Sequence, residues 1–568
     1  MRRFKITILI SLILVAVLAT VFSYNFSARG SEYIEESGTT LLKLTVGNKS
    51  HLIEPWYSEV DDIYYYFIPS YENEFDENIE FDIKVSNEDK KAKNICANNL
   101  NTLFIDTESG NNDLLLEDVA NTETGVLHSV TAKGKTEFLG SIEKIKGRGN
   151  STWLNEEKKP LAVTLSEKAS ICSLKAGKKY ALHAMSYEGD KLHSKFIYDM
   201  EKELGAEFTT GCNWANVYLN GQYYGLYLVE EAHKVDEGRI ELPSDAILYQ
   251  RASSDRTGAG QYFTLEDGKN VFIMEHPKEV SEEKLADIQQ TVRIIDNQIH
   301  QGDFSNIDME TFAKYFLADE LSMGYDAFKN SCFFYQLEPG GKIYAGPVWD
   351  YDLSFGETNN ADPKYADPTV SIIDARSSQL DWYKILYQNE EFRNLLAQDI
   401  KELLPWFHKM MDETIDKQEA YISKSVDLDK LRWSNAPAEK YLQEMVLDSY
   451  SSLSLDCKSY RHPGGSYQTL HNDVRFFKYF LASRLNFLMD ELGIDEERFV
   501  VENTDEIHTV TFTKQGKVVE EIKVKDGDFV PELPELSENE TWRMSWCMDV
   551  YNNKLPVFED VVLRSIIE

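Results

Sequence analysis

Two short stretches carry side chains suited to acid–base and metal chemistry. Gly324-Tyr325-Asp326-Ala327-Phe328-Lys329-Asn330 sets an acid and an amide on one loop. Gly346-Pro347-Val348-Trp349-Asp350-Tyr351-Asp352-Leu353-Ser354-Phe355-Gly356 follows as a second, acidic loop. Between them, Ser331–Leu337 and Lys342–Ala345 read as a hairpin turning at Pro339-Gly340-Gly341. An acid that takes a hydroxyl proton, an amide beside it and a later carboxylate on Mg²⁺ are the parts that phosphoryl transfer to a hydroxyl needs. Carboxylate and amide oxygens suit hard Mg²⁺, which leaves coordination positions open for phosphate. Acid–amide loops also occur as plain capping turns, and spacing alone leaves both readings open.

A phosphate would also need cations. Lys144-Ile145-Lys146-Gly147-Arg148-Gly149-Asn150-Ser151-Thr152-Trp153, followed by Lys158-Lys159-Pro160, concentrates positive charge around a Gly-Arg-Gly turn that lets backbone approach a ligand. It is neither a P-loop nor a dinucleotide fingerprint, and a hairpin with solvated lysines reads equally well. Val217 to Glu231 contains Asn220-Gly221, the type I′ signature of a tight hairpin, and Glu230 at the end of its second strand is a partner for one of those cations.

Taken together, Lys146–Trp153, Lys158-Lys159-Pro160, Asn220-Gly221-x-Tyr223-x-Gly225 and Trp349-Asp350-x-Asp352-x-x-Phe355-Gly356 resemble, in order and spacing, the signature blocks of the CotH family of spore-coat protein kinases. The resemblance runs from about Leu103 to Leu492. It implies an atypical protein-kinase-like fold and ATP-dependent phosphorylation of Ser/Thr on exported or surface proteins, with Mg²⁺ or Mn²⁺ as the cation. By position it implies Asp326 as the catalytic acid–base residue and Asp350 as a metal ligand, with Asn330 and Asp352 nearby. Lys146, Arg148, Lys159 and Glu230 are implied to frame the nucleotide phosphates. One departure concerns the Arg-Asn pair that family members carry where the first helix begins. Asp190-Lys191-Leu192-His193-Ser194-Lys195 places His193 and Ser194 there, and an imidazole is partly charged near neutral pH and lacks the guanidinium fork. The alternative reading is a kinase-like surface-binding or structural protein that has lost catalysis.

Other chemistries lack support. His183, His276, His462 and His471 have no zinc-protease spacing, and no Gly-x-Ser-x-Gly elbow occurs. Cys96, Cys172, Cys212, Cys332, Cys457 and Cys547 are scattered without a CxxC pair. With 59 Lys+Arg against 96 Asp+Glu, the net charge of −37 argues against a sequence-tolerant nucleic-acid binder and against adhesion to anionic lipid. The 568 residues, 42% hydrophobic and 12% aromatic, suffice for several packed domains and exclude a disordered chain.

The elements that must position these loops follow from periodicity. Leu41–Val46, Ile63–Ile68 and Leu103–Asp106 read as strands, and strands continue from Ile142 to Val229 around one helix near Ser194–Leu204. Helical spacing then begins at Ser281 and stops at Gly302. It resumes behind Asp308 as N-cap through Leu321, and recurs over Trp382–Leu431 and Val474–Leu492. Strands followed by helices imply α+β. His508–Thr513 and Val518–Val524 read as a small C-terminal hairpin region similar to the β-grasp-like repeats of bacterial surface proteins. The expected organisation is 1–30 as a signal peptide or signal anchor, 31–100 as a β-rich region, 101–500 as the CotH-like kinase domain and 505–568 as a small β-domain. Arg2, Arg3 and Lys5 before the apolar run Ile6–Phe22 are expected to direct export, giving an extracytoplasmic protein that meets the membrane through this segment alone.

Overall fold

In the strand Leu161–Ala169, Leu161, Val163 and Leu165 are buried and alternate with half-exposed neighbours, the period-two pattern of a sheet packed on one face. The same alternation closes a seven-stranded barrel. Its strands follow the order Thr136–Gly147, Leu161–Ala169, Gly177–His183, Gln222–Glu231, Cys212–Leu219, Asn101–Thr107 and Thr122–Val130, the last pairing back to the first. Pairing is antiparallel except where Cys212–Leu219 runs parallel to Asn101–Thr107. Leu103, Ile105, Leu127, Ile142, Ile145, Val217 and Val229 fill the interior. Closure leaves no open sheet edge, at the cost of the long-range parallel pairing.

This computed structural model describes residues 29–567 except residues 60, 70, 72–74, 76, 78, 99, 237–238, 358–366, 376–379, 434–466, 545–550, 552 and 554. The expected export run, Cys457, His462 and Cys547 lie outside the described residues. Among the described residues no helix is long and apolar enough to cross a membrane, and Cys96, Cys172, Cys212 and Cys332 are free thiols.

Two small sheets precede the barrel, one of Arg29–Glu36, Thr39–Val46 and Lys49–Ile53, the other of Trp56–Ser58, Ile63–Ile68, Glu88–Cys96 and Phe81–Val85. They share one apolar core with the barrel's Phe104, Val130, Tyr218 and Tyr223. The helical half follows. His193–Glu203, Glu282–His300, Met309–Ser322, Glu390–Lys409, Ile415–Trp433 and Leu470–Glu491 pack with a five-stranded sheet whose centre is Ile247–Ala252 beside Cys332–Gln336. Phe196, Phe272, Phe316, Phe334, Trp382, Phe407 and Phe477 belong to its continuous core. Ser281, Asp308, Asn389 and Thr469 each accept the backbone N–H three residues on, which is why these helices begin where they do. Arg484, fully buried, donates to the Glu320 carboxylate at 2.7 Å and to the carbonyls of Glu320, Pro368 and Val370, locking Leu470–Glu491 onto Met309–Ser322.

The C-terminal residues form a four-stranded sheet ordered Lys517–Lys525, Ile507–Lys514, Val561–Ile567, Glu540–Met544, around Val510, Phe512, Trp542 and Leu563. The sequence reading saw the first hairpin. It missed the parallel return of Val561–Ile567 beside Ile507–Lys514, a pairing that no local turn announces. Arg475 reaches Asp526 at 2.6 Å and joins this sheet to the helical half. The overall class is α+β, as expected from strands followed by helices.

A histidine pair fastens the N-terminal sheets to the barrel. His51 Nε2 lies 2.8 Å from His128 Nδ1, whose Nε2 meets Thr136 Oγ1 at 2.8 Å, and the His51 ring stacks on Phe104. Burial, then the neighbouring His128 and Lys49, pushes His51 down to about 3; burial and Lys49 push His128 down to about 4. Both rings are neutral when folded, whereas in the unfolded chain each titrates near ~6.5. The pair's contribution is therefore complete above pH ~6.5 and is lost as pH falls toward 4, because the unfolded chain takes up protons the folded chain refuses. A His51→Gln variant should melt below wild type at pH 7.5, with the gap narrowing steadily by pH 5. A gap independent of pH would show that the pair does not sense protons.

Candidate active site

Gly147 lies flat under the Trp153 ring, where any Cβ would overlap the indole. Arg148 follows directly after the strand Thr136–Gly147. Arg148 Nη1 is 3.7 Å from Glu230 Oε2, and its guanidinium stands 5.2 Å from the Trp349 ring centroid. The expected Arg148–Glu230 partnership is thus present in the geometry. The other two cations lie elsewhere. Lys146 is exposed between the buried Ile145 and Gly147, and faces away from the barrel interior. Lys159 Nζ donates to the carbonyls of Trp153 at 2.6 Å and Glu156 at 2.5 Å, capping the short helix Ser151–Asn155.

The residue beside it does different work. Lys158 is buried, pairs with Asp429 at 2.7 Å and donates to the Leu226 carbonyl. Asp429 in turn accepts the Leu226 N–H at 2.9 Å. Burial outweighs the attraction of Asp429 and pulls the Lys158 ammonium down to about 8. Gly225, at φ +119°, is what admits this pair, because a Cβ there would overlap the Asp429 carboxylate. The Lys-Lys-Pro and Asn-Gly-x-Tyr-x-Gly blocks therefore meet as a structural lock between the barrel and the helix Ile415–Trp433. In the same place Trp433 Nε1 donates to Tyr224 O at 3.0 Å.

The two acidic loops are joined by backbone. Tyr325 N–H donates to Leu353 O at 2.8 Å and Phe355 N–H to Ser322 O at 2.7 Å. The hairpin expected between them exists, with Phe334 opposite Ala345 and Tyr335 opposite Tyr344. Ser331 Oγ donates to Asp350 Oδ2 at 3.0 Å, and Asp350 itself sits at φ +74°, a costly conformation for a non-glycine residue. Phe328, Ser331 and Phe355 share the left-handed region, so strain is concentrated in these loops. Asn330 Oδ1 accepts Ser253 N–H at 2.9 Å and its Nδ2 donates to Asp326 Oδ1 at 3.0 Å, so its amide holds the Asp326 carboxylate. Asp326 and Asp350 remain partly open to solvent.

His183, which spacing gave no reason to single out, ends a barrel strand and reaches into this acidic pocket. Its Nε2 is 3.3 Å from Asp352 Oδ2, and its Nδ1 faces Glu230 at 3.8 Å and Glu188 at 4.0 Å. His183 Nδ1 and Glu188 Oε1 are both buried without a hydrogen-bond partner. Burial disfavours the imidazolium, but the hydrogen bond to Asp352 and the charges of Glu230, Asp352 and Glu188 prevail and hold His183 at about 9. Burial, then Asp352 and Asp326, lifts Asp350 to about 6. Ligand atoms of His183, Asp350 and Asp352 lie within 4.8 Å of one another. Tyr198 joins the pocket, donating to Glu230 Oε1 at 3.3 Å and receiving Asp350 N–H at 3.4 Å.

A second buried cluster lies behind it. His193 Nε2 meets Asp190 at 2.9 Å and Glu357 at 3.7 Å, while its Nδ1 faces Asp352 O at 3.3 Å. Burial opposes charge on this ring, yet Asp190, Glu188 and Glu357 hold it up at about 10. A histidine at this position would ordinarily be partly charged near neutral pH; enclosed by carboxylates, His193 is held well above the usual imidazole range.

A family model described as CotH kinase protein matches residues 145–488, more than half of the chain. The chain belongs to the CotH kinase family. No curated protein matches it.

The lock at Gly225 makes a quantitative expectation. Gly225→Ala should cost about 2 kcal/mol or more, from the disfavoured φ and displacement of Asp429. In an Asp429→Ala background the same change should cost clearly less, because the overlap is gone. Denaturant midpoints of the four-member cycle measure this; additive costs would place the penalty in the backbone alone.

Proposed function

We propose that this member of the CotH kinase family transfers the γ-phosphate of ATP to Ser/Thr hydroxyls of exported or surface proteins, with a divalent cation held at Asp350 and Asp352. The observation that carries the reading is the backbone joining of the two acidic loops, by Tyr325 N–H to Leu353 O and Phe355 N–H to Ser322 O, which holds the loop of Asp326 against that of Asp350. A proton acceptor and a metal-binding carboxylate side by side is the constellation phosphoryl transfer requires.

The residues fit a cation. Two carboxylates converge with an imidazole, one carboxylate partly open, and the neighbouring Glu188 keeps an unpartnered buried oxygen. When bound, a divalent ion neutralises phosphate charge that a chain of net charge −37 would otherwise repel. Asp326, oriented by Asn330, accepts the hydroxyl proton of the protein substrate as its oxygen attacks phosphorus. Arg148, one side on Glu230 and partly exposed, faces the phosphates. Lys146 and Lys159 have no part in this reading, since one faces outward and the other caps a turn. The exported or surface location of the substrate rests on the basic and apolar N-terminal residues.

Asp350→Asn should weaken Mg²⁺-dependent ATP binding, read as a smaller ATP-induced rise in melting temperature, and should lower turnover with it. Asp326→Asn should leave that rise nearly intact while phosphate transfer from radiolabelled ATP drops about 10²–10⁴-fold. A wild-type chain that binds no nucleotide with either Mg²⁺ or Mn²⁺ would instead favour a catalytically silent, surface-binding protein.

A further inference from the structure

We propose that the buried pair Tyr351–Asp319 is the positioning device of the site. It holds the loop of Asp350 and Asp352 onto the helix that leads to Asp326, and so sets the spacing between proton acceptor and metal-binding carboxylates. The inference rests on the phosphotransferase reading above and adds to it two residues that touch neither substrate nor cation.

Tyr351 stands between Asp350 and Asp352, yet it is buried where Asp350 is partly open to solvent. Its hydroxyl donates to Asp319 Oδ1 at 2.8 Å, and Asp319 is itself only 3% exposed. Asp319 lies in the last turn of Met309–Ser322, which stops at Met323 in the left-handed region, φ +52°, just before Gly324, Tyr325 and Asp326. Two backbone bonds run alongside: Phe355 N–H to Ser322 O at 2.7 Å and Tyr325 N–H to Leu353 O at 2.8 Å. Alternate residues of the acidic loop, Tyr351, Leu353 and Phe355, are thus tied to one helix end and the loop it feeds. Of these three ties only Tyr351–Asp319 is made by side chains, so it alone can be removed by substitution.

Stability does not account for a carboxylate here. Replacing both partners of a buried hydrogen bond by apolar groups of the same shape is close to neutral or stabilising. The backbone of Asp350 supplies another reason. Its φ of +74° is disfavoured for a residue with a side chain and persists only where the surroundings over-determine it. Ser331 holds the Asp350 carboxylate at 3.0 Å, and Asp319 holds the next residue along. A hydrogen bond to a carboxylate is roughly twice as strong as one between neutral groups, which suits it to keep a strained residue in place. Turnover is steeply sensitive to such placement, since a shift of about 1 Å can cost about 10²-fold. Binding of ion and nucleotide is shared among more groups and depends on it less.

The test uses the full chain and follows phosphate transfer from radiolabelled ATP, with Mg²⁺ or Mn²⁺, to the chain itself and to dephosphorylated casein. Tyr351→Phe keeps the ring and removes the donor. Its kcat should fall about 10–10²-fold, while the KM for ATP and the ATP-induced rise in melting temperature stay near those of wild type. Losing a donor to a buried carboxylate should also lower its melting temperature. Adding Asp319→Leu to Tyr351→Phe should recover the melting temperature but not the turnover. Asp319→Asn, whose amide oxygen still accepts from Tyr351, should retain most of the turnover that Asp319→Leu alone loses. Turnover that follows melting temperature through these variants, returning in the double substitution, would reduce the pair to a structural contact and overturn the inference. So would a Tyr351→Phe chain as active as wild type. If Tyr351→Phe does not fold, the double variant and the comparison of Asp319→Asn with Asp319→Leu decide by the same criteria. A wild-type chain that transfers no phosphate with either ion would remove the phosphotransferase reading, and this inference with it.

Discussion

Burying carboxylates where a barrel meets a helical core is the constraint around which the molecule is arranged. Glu188, Asp190, Glu230, Asp352, Glu357 and Asp473 are all buried at that junction. An isolated buried carboxylate costs several kcal/mol, so each must be paired, protonated or neutralised by an ion. The cations are distributed accordingly: Arg148 to Glu230, His193 to Asp190, Lys430 to Asp473 at 3.6 Å, and Lys158 to the nearby Asp429. Among the described residues, pairing is incomplete at His183 Nδ1 and Glu188 Oε1, which are buried without hydrogen-bond partners, and Asp350, a member of this cluster, is partly open to solvent.

The same constraint explains why the helical half encloses the barrel end so thoroughly. Ile415–Trp433 supplies Asp429 and Trp433 to the barrel, and Leu470–Glu491 supplies Asp473 and Arg484 to the network and to the loop supports. A carboxylate loop held at φ +74° needs such support, because its conformation is disfavoured by about 1–3 kcal/mol unless packing determines it. Two backbone hydrogen bonds to the Asp326 loop and one from Ser331 provide it. Rigidity in the loops is thus a consequence of packing around them and not of their own sequence.

How much of this was legible follows the range of each interaction. Asp308, Ser281 and the Asn220-Gly221 turn act on backbone within a few residues, so helix starts and the hairpin could be read directly; Asn220 and Gly221 both have positive φ, as the turn type demands. The hairpin between the acidic loops was equally local. Closure of the barrel was not, since Cys212–Leu219 pairs parallel to a strand more than a hundred residues earlier. Nor could spacing tell Lys158 from Lys159: the difference is that one meets Asp429, far away in sequence, and the other meets carbonyls beside it. His183 was invisible for the same reason. The available signal was its position at the end of the strand Gly177–His183, close to the acidic Glu188 and Asp190, in a segment ending where the helix His193–Glu203 starts.

The exchange of Arg-Asn for His193-Ser194 illustrates how context decides chemistry. In water an imidazole is a weak base, and its use here would weaken any anion-binding role. Inside a cage of Asp190, Glu188 and Glu357 the ring holds its proton at neutral pH, so the charge that a guanidinium would bring is restored by the surroundings. What is not restored is reach. His193 is fully buried, spends Nε2 on Asp190 and turns Nδ1 toward the Asp352 carbonyl. Its hydrogen bond to the Asp352 carbonyl steadies the loop that carries Asp352 from behind.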